Sequence, residues 1–245
     1  MNPSLFINIF HLYKNNYVDF QLFSFYHKIS LMLIATILVF MFIFKKYIKY
    51  PKLTLIIRLI LLLIMILQFI TLYAWIFKTN SFSFSDSLPI YLCRLTSLFC
   101  IFMLLFKSYK LFEVLYFWGF AGVPFALLTP DTFGQTFPNI IYIRFFVSHG
   151  AILISLLFMI IAYDFYPTFN SLKKTIKYSL LYLIVCYIIN TIFNGNYSYL
   201  SQKPYTSSVL DVLPSFPFYI PLMIIIIFSI FALLFIPFFL YSKKH

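Results

Sequence analysis

Four ionisable or reactive side chains stand out in this chain because they lie inside apolar stretches, where such groups are costly to place. Cys93 and His149 are the residue types that acyl transfer through a thioester uses as nucleophile and base. Arg94 follows the cysteine directly, and a guanidinium close to water favours the reactive thiolate. Arg144 precedes the histidine on the same stretch, and its planar guanidinium suits a phosphate or a carboxylate. The four residues therefore predict a catalytic pair with two substrate-binding arginines.

Each of these residues also has a structural interpretation. His149 could hydrogen-bond a neighbouring helix, and Arg144 could extend its guanidinium to the lipid head groups. The spacing along the predicted helices puts Cys93 about 8 Å and His149 about 15 Å below the outer boundary. Contact between them requires one helix boundary to move by a turn.

Polar stripes and a polar loop supply further candidates. Cys93, Thr96, Ser97 and Cys100 share one helix face, and so do Tyr187, Asn190, Thr191 and Asn194, because both sets recur at helical spacing. The second stripe runs into the loop FNGNYSYLSQKP at 193–204. Together these segments predict a wet pocket in the outer half of the membrane. Its additional substrate-binding candidates are Asn190, Asn194, Asn196, Tyr197 and Lys203.

Seven apolar stretches must position these residues, since a helix needs roughly 20 apolar residues to span about 30 Å of hydrocarbon. The sequence predicts an all-α, polytopic membrane bundle formed by one domain, 1–245. The predicted helices are 29–44, 53–77, 88–106, 111–128, 140–163, 175–193 and 217–241. The first is short, and the fourth contains Glu113, Pro124 and two glycines. Six spans result if either is re-entrant.

The lysines indicate the orientation of the bundle, because cytoplasmic loops are enriched in positive charge. One set of alternate loops carries eleven lysines: Lys45, Lys46, Lys49, Lys52, Lys107, Lys110, Lys173, Lys174, Lys177, Lys243 and Lys244. The other set carries four: Lys14, Lys28, Lys78 and Lys203. We therefore expect the N-terminal segment 1–28 outside the cell, without signal cleavage, and the C-terminus in the cytoplasm.

Composition excludes several classes of protein. With 63% hydrophobic and 10% charged residues, the chain leaves no soluble domain of useful size. The net charge of +12 is explained by membrane orientation, so no nucleic-acid partner is expected. Three cysteines without close pairing favour neither a disulfide framework nor a zinc site, and scattered glycines provide no nucleotide motif. No cofactor or metal is expected. The AT-rich codon signature suggests the cell membrane of a low-GC bacterium.

Several motifs resemble a known family. LPIYLCRL (88–95), EVLYFWGFAGVPFALLTPD (113–131), FFVSHG (145–150) and FNGNYSYLSQKP followed by SVLDVLPSFPFY resemble the YwaF-like bacterial integral membrane proteins, which are similar to eukaryotic transmembrane protein 164. The resemblance covers most of the chain after residue 85. Members often have a histidine two residues before the cysteine, where this chain has Tyr91.

The resemblance implies an activity. The eukaryotic relative moves an acyl chain from a phospholipid to a lysophospholipid, with a membrane cysteine as the proposed nucleophile. Carried over by motif, that cysteine is Cys93 and the histidine of SHG is His149. The expected partners are membrane phospholipids, with a lysophospholipid or a lipoprotein as acceptor. The alternatives are a small-solute transporter or channel, in which buried polar residues line a path, and a non-enzymatic scaffold. The oligomeric state is left open.

Overall fold

The computed structural model describes residues 20–132, 134–204 and 208–242, and all regular secondary structure in these ranges is helical. The helices are α1 Phe25–Ile43, α2 Lys45–Ile48, α3 Pro51–Lys78, α4 Leu92–Phe106, α5 Tyr109–Leu128, α6 Ile140–Tyr163, α7 Phe169–Phe193 and α8 Tyr219–Ser242. Short 3-10 turns follow α7 at Tyr197–Tyr199 and precede α8 at Val209–Val212. The predicted polytopic helical bundle is confirmed.

Six of these helices are long and apolar enough to cross a bilayer, and α4 is a shorter apolar helix of 15 residues. The chain is therefore a multi-pass membrane protein. The sequence predicts that the first or the fourth span could fail to cross the membrane, but the short helix is the third, α4. The first span begins at Phe25, four residues before its predicted start, and the fourth is continuous from Tyr109 to Leu128 despite Pro124. Of the predicted outer segment 1–28, residues 1–19 lie outside the described residues.

The centre of the bundle consists of α5 and α6. Helix α6 packs against α1, α3, α4 and α5, whereas α5 packs against α4, α6, α7 and α8. Gly119 of α5 brings the two central helices together, because a Cβ atom built there would clash with Leu156 Cδ1 on α6. The small-residue face predicted on this helix is thus a helix contact at Gly119.

Contacts between loops show that the helices alternate in direction. At one end Lys49 forms an ion pair with Asp164 at 2.8 Å, joining the segment before α3 to the segment after α6. The hydrogen bond to Asp164 raises the pKa of Lys49. At the other end the Phe20 amide donates to the Gly134 carbonyl at 3.0 Å. The lysine-rich loops that the structure describes therefore lie at one end of the bundle.

A buried carboxylate connects α5 to α7 near the lysine-rich end. Glu113 is only 3% exposed. It accepts hydrogen bonds from the Ser171 hydroxyl at 2.8 Å and from Lys174 Nζ at 2.7 Å. Further along the same two helices, the Trp118 indole donates to the Ser179 hydroxyl at 2.8 Å. Both carboxylate oxygens have partners, so Glu113 serves packing of these helices.

Helix α4 begins at Leu92 and not at residue 88 as predicted. Backbone amide and carbonyl groups just before it form hydrogen bonds with side chains from distant segments. They therefore do not depend on the hydrogen bonds of a helix. The Tyr197 hydroxyl accepts from the Leu88 amide at 3.0 Å and donates to the Phe84 carbonyl at 2.9 Å. In addition, Pro89 disfavours helical geometry at Leu88. The resulting helix is about 22 Å long.

Candidate active site

The start of α4 lies deep in the bundle. Tyr182 is eleven residues before the end of α7 at Phe193, which corresponds to about 16 Å along the helix. Its hydroxyl donates to the carbonyl oxygen of Ile90 at 2.8 Å. Because α4 itself is only about 22 Å long, the loop before it extends about 8 Å into a layer of roughly 30 Å. Irregular backbone at such depth occurs where it is buried in protein or lines a water-filled cavity.

A second loop, 194–200, descends beside the first. Asn190 fixes it to α7, because its side chain accepts from the Tyr197 amide at 2.7 Å and donates to the Tyr197 carbonyl at 3.0 Å. The two loops touch at Gly195, where a Cβ atom would lie 2.8 Å from the carbonyl oxygen of Ser85. Two loops that depend on each other thus cover the end of the bundle opposite the lysine-rich loops.

The backbone of the second loop is strained. Ser198 and Tyr199 have φ angles of 56° and 54°, in the left-handed region that residues with a side chain rarely adopt. The geometry brings the Ser198 hydroxyl to 2.5 Å from the Tyr182 hydroxyl and 3.8 Å from Cys186 Sγ. Since Tyr182 already donates to Ile90, Ser198 donates to Tyr182. Strained residues of this kind cluster at functional sites.

Cys93 is the second residue of α4, at a helix start with no side-chain cap. The first backbone bond of α4 runs from Leu95 to Tyr91 at 2.9 Å. The amides of Leu92, Cys93 and Arg94 donate to no residue that the structure describes. Free amides and the helix dipole make this end positive. Burial disfavours a thiolate on the half-buried Cys93, whereas the free amides and the Arg94 charge favour it.

The surroundings of Cys93 are polar on the side of α7. Tyr182 and Tyr199 both lie close enough to the thiol to interact with it electrostatically. One turn further along α4, the Thr96 hydroxyl is buried and has no hydrogen-bond partner among the described residues. An unpaired buried hydroxyl calls for an explanation, such as a ligand or water.

Arg94 is anchored to the loop before its own helix. Its guanidinium donates to the Asp86 carbonyl at 2.6 Å and lies over the Tyr91 ring at 4.8 Å. The Asp86 carboxylate in turn accepts from the Tyr91 hydroxyl at 2.6 Å. Tyr91, which stands where relatives often have histidine, thus supports Arg94. Arg144 lies close enough for its charge to interact with that of Arg94.

His149 is oriented by its own helix. Its Nδ1 donates to the Phe145 carbonyl at 2.8 Å, and its ring stacks on the Phe145 ring at 4.0 Å between centroids. This tautomer leaves Nε2 as the proton-accepting atom. Among the described residues the histidine forms no hydrogen bond with Cys93. It lies nine residues after Ile140, or about 14 Å along α6, and therefore deeper in the bundle than Cys93 at the start of α4.

The candidates for substrate binding on α7 and its loop mostly have partners inside the protein. Besides Asn190 and Tyr197, Asn196 accepts from the Ser201 amide at 3.0 Å, and Lys203 donates to the Leu213 carbonyl at 2.6 Å. Asn194 ends α7 with a φ of 50° and is exposed. These contacts organise the loop, and substrate binding by these residues stays a prediction.

Sequence reasoning missed Tyr182, Ser198 and Tyr199. Tyr182 lies one turn before Cys186 on α7, and that helical spacing could have placed both on one face. No sequence pattern indicates the left-handed backbone of the other two. Within the described ranges, no three His, Cys, Asp or Glu side chains lie close enough together to hold a metal ion.

The close approach of the two loops provides a test of their importance. We expect Gly195→Ala to destabilise the folded protein by about 2 kcal/mol, because the new methyl group would meet Ser85 backbone that cannot rotate away. Thermal unfolding in detergent measures the change. Gly122→Ala is the matched control, since no atom lies within 4 Å of a Cβ atom there. Equal unfolding temperatures for the two variants would contradict the close packing.

Comparison with known proteins yields one match. A family model described as the TMEM164 family matches residues 22–235. No curated protein and no solved structure gives a significant match. The matched range includes the starts of α4 and α7, both descending loops and His149.

Proposed function

Because the chain belongs to the TMEM164 family, we propose that it is a membrane-embedded acyltransferase. It would move a fatty acyl chain from a phospholipid to a lysophospholipid or a lipoprotein acceptor through a thioester on Cys93. The observation that carries the proposal is the position of Cys93 at the uncapped start of α4. A thiol beside free helix amides and a guanidinium has the surroundings of a reactive cysteine.

The chemistry has two steps. In the first, the Cys93 sulfur attacks the ester carbonyl of the phospholipid, a carbon–sulfur bond forms, and the ester carbon–oxygen bond breaks. The lysophospholipid leaves with the proton that the thiol loses. In the second, the acceptor hydroxyl or amine attacks the thioester, and its proton returns to the sulfur as the thiol is regenerated. The amides of Leu92 and Arg94 are suited to stabilising the oxyanion of each tetrahedral intermediate.

His149 is our candidate for the proton acceptor. Its Nε2 has no hydrogen-bond partner among the described residues, while Nδ1 is fixed by Phe145. A base must come within hydrogen-bond reach of the thiol or act through one water, and catalytic hydrogen bonds are often long before substrate binds. Because His149 lies deeper in the bundle than Cys93, the assignment requires the two side chains to approach each other when the substrate binds. Arg94 and Arg144 would hold the phosphate of the donor.

The predicted orientation restricts the donor. If the lysine-rich end is cytoplasmic, the two descending loops open to the outside of the cell membrane. Acyl-CoA is not available there, so the acyl donor must be a phospholipid. For a low-GC bacterium the acceptor would be a lysophospholipid or the free amine of a lipoprotein.

The test is the detection of the acyl-enzyme. The purified protein is incubated with phospholipid liposomes, and its intact mass is measured before and after hydroxylamine treatment. We expect a hydroxylamine-sensitive acyl adduct that maps to Cys93. An adduct formed only from labelled acyl-CoA would refute a phospholipid donor, and an adduct mapping to Cys100 or Cys186 would refute the nucleophile.

A further inference from the structure

A shallow groove of about 220 Å³ lies between α3 and α6. It is lined by Ile64, Leu67, Gln68, Thr71, Ile140, Ile143, Arg144 and Val147. Leu67 and Val147 are 51% and 42% exposed, so the groove opens on the side of the bundle that faces lipid. Its lining residues extend along each helix from the first to the seventh residue after it, a length of about 10 Å. The length and apolar lining suit part of an acyl chain.

The Arg144 guanidinium in this groove has no anionic partner among the described residues. In the described ranges, Arg144 forms neither an ion pair nor a hydrogen bond. The other charge in its surroundings is that of Arg94, which repels it. An arginine inside a membrane is costly unless it pairs with an opposite charge. A guanidinium that has no carboxylate partner among the described residues, and that lies near a second guanidinium, therefore indicates a negatively charged ligand from outside the protein.

The inner wall of the groove leads to the helix that carries Cys93. Gln68 is 6% exposed, and its amide donates to the Ser97 hydroxyl at 2.5 Å. Ser97 lies four residues after Cys93 and therefore on the same face of α4. The groove, the arginine pair and the thiol are thus neighbours along one path through α6, α3 and α4.

We propose that this groove binds a glycerophospholipid from the side, with the phosphate at Arg144 and one acyl chain against Leu67 and Val147. The apolar, lipid-facing lining favours a lipid over free phosphate, because free phosphate has no apolar part to contact that lining. The assignment of this groove to the acyl donor rests on the proposed function. It adds the route by which the donor enters, which the thioester chemistry alone does not specify.

The experiment uses the full chain in nanodiscs with a phosphatidylethanolamine that carries a photoreactive group on one acyl chain. After irradiation, labelled peptides are mapped by mass spectrometry. We expect labelling of 64–71 and 140–147 to exceed that of the lipid-exposed face at Ile184 and Ile188 on α7.

Variants then test the site. Val147→Trp fills the groove and should reduce its labelling about tenfold, which corresponds to about 1.4 kcal/mol. The matched control, Ile188→Trp, replaces a comparably exposed residue and should leave groove labelling unchanged. Leu67→Trp blocks the opposite wall and replaces Val147→Trp if that variant does not fold. Arg144→Gln should reduce labelling by the phospholipid but not by a diacylglycerol probe without phosphate.

Two results would contradict phospholipid binding in the groove. The first is groove labelling no stronger than the labelling of the α7 face. The second is competition by inorganic phosphate, which would indicate a site for free anions. The Cys93 adduct is measured in the same samples. An adduct without groove labelling rejects the groove and leaves the proposed function, whereas groove labelling without an adduct retains lipid binding and rejects the thioester.

Discussion

Cys93→Ala is expected to lower acyl transfer from phospholipid by about a thousandfold or more, because removing a covalent nucleophile leaves only the contributions of binding and oxyanion stabilisation. Transfer of a labelled acyl chain from phospholipid to lysophospholipid measures the loss. The matched control is Cys100→Ala, two turns further along α4, where the cysteine is fully buried. That variant should retain transfer.

Two outcomes would count against the thioester. Full transfer by Cys93→Ala would favour a transporter, channel or scaffold, none of which needs the thiol. Equal losses in Cys93→Ala and Cys100→Ala, with lowered unfolding temperatures in both, would indicate that the thiols serve packing. Cys93→Ser separates these cases further, because it keeps the size of the side chain and replaces the sulfur nucleophile with a poorer one.

Asn190→Leu is expected to lower the free energy of unfolding by about 3 kcal/mol. The side chain is 6% exposed, and its loss would leave the Tyr197 amide and carbonyl buried without partners, at about 1 to 3 kcal/mol for each. The loop would also lose its attachment to α7. Thermal unfolding in detergent measures the stability, and adduct formation on Cys93 measures the effect on the site.

Thr191→Val is the control for this variant. Thr191 follows on the same helix, is exposed, and donates its hydroxyl to the Tyr187 carbonyl of its own helix at 2.9 Å. It should change stability little. If Asn190→Leu unfolded at the wild-type temperature but lost acyl transfer, Asn190 would be a substrate contact, as the sequence first suggested, and not a support of the loop.

Most of the fold could be predicted from the sequence because hydrocarbon tolerates only helices whose backbone groups are paired internally. The length of an apolar stretch then fixes the helix. The predicted bounds of the helix from Ile140 to Tyr163 agree with the observed ones. The exception is the start of α4, which long-range hydrogen bonds determine. Residues 88–91 are as apolar as a helix requires, yet their backbone bonds to the hydroxyls of Tyr182 and Tyr197, more than ninety residues later.

The site was predictable in residue type but not in arrangement. Cys93 and Arg94 follow from polarity within an apolar stretch, and their helix position depends on where α4 starts. Asn190 and Asn196 were identified as polar for the same reason, but a side-chain amide serves a ligand and a backbone equally well. The left-handed backbone at Ser198 and Tyr199 arises from packing between two loops, which no local pattern records.

The depth at which α4 begins also determines how much of the transmembrane voltage acts on the site. Moving one elementary charge across the whole membrane is worth about 2.3 kcal/mol per 100 mV. With the start of α4 about 8 Å inside a layer of roughly 30 Å, a negative charge formed at Cys93 would feel about a quarter of that, or roughly 0.6 kcal/mol per 100 mV. In an energised cell whose interior is negative, ionising the thiol from the outer side would therefore cost more than in a depolarised one.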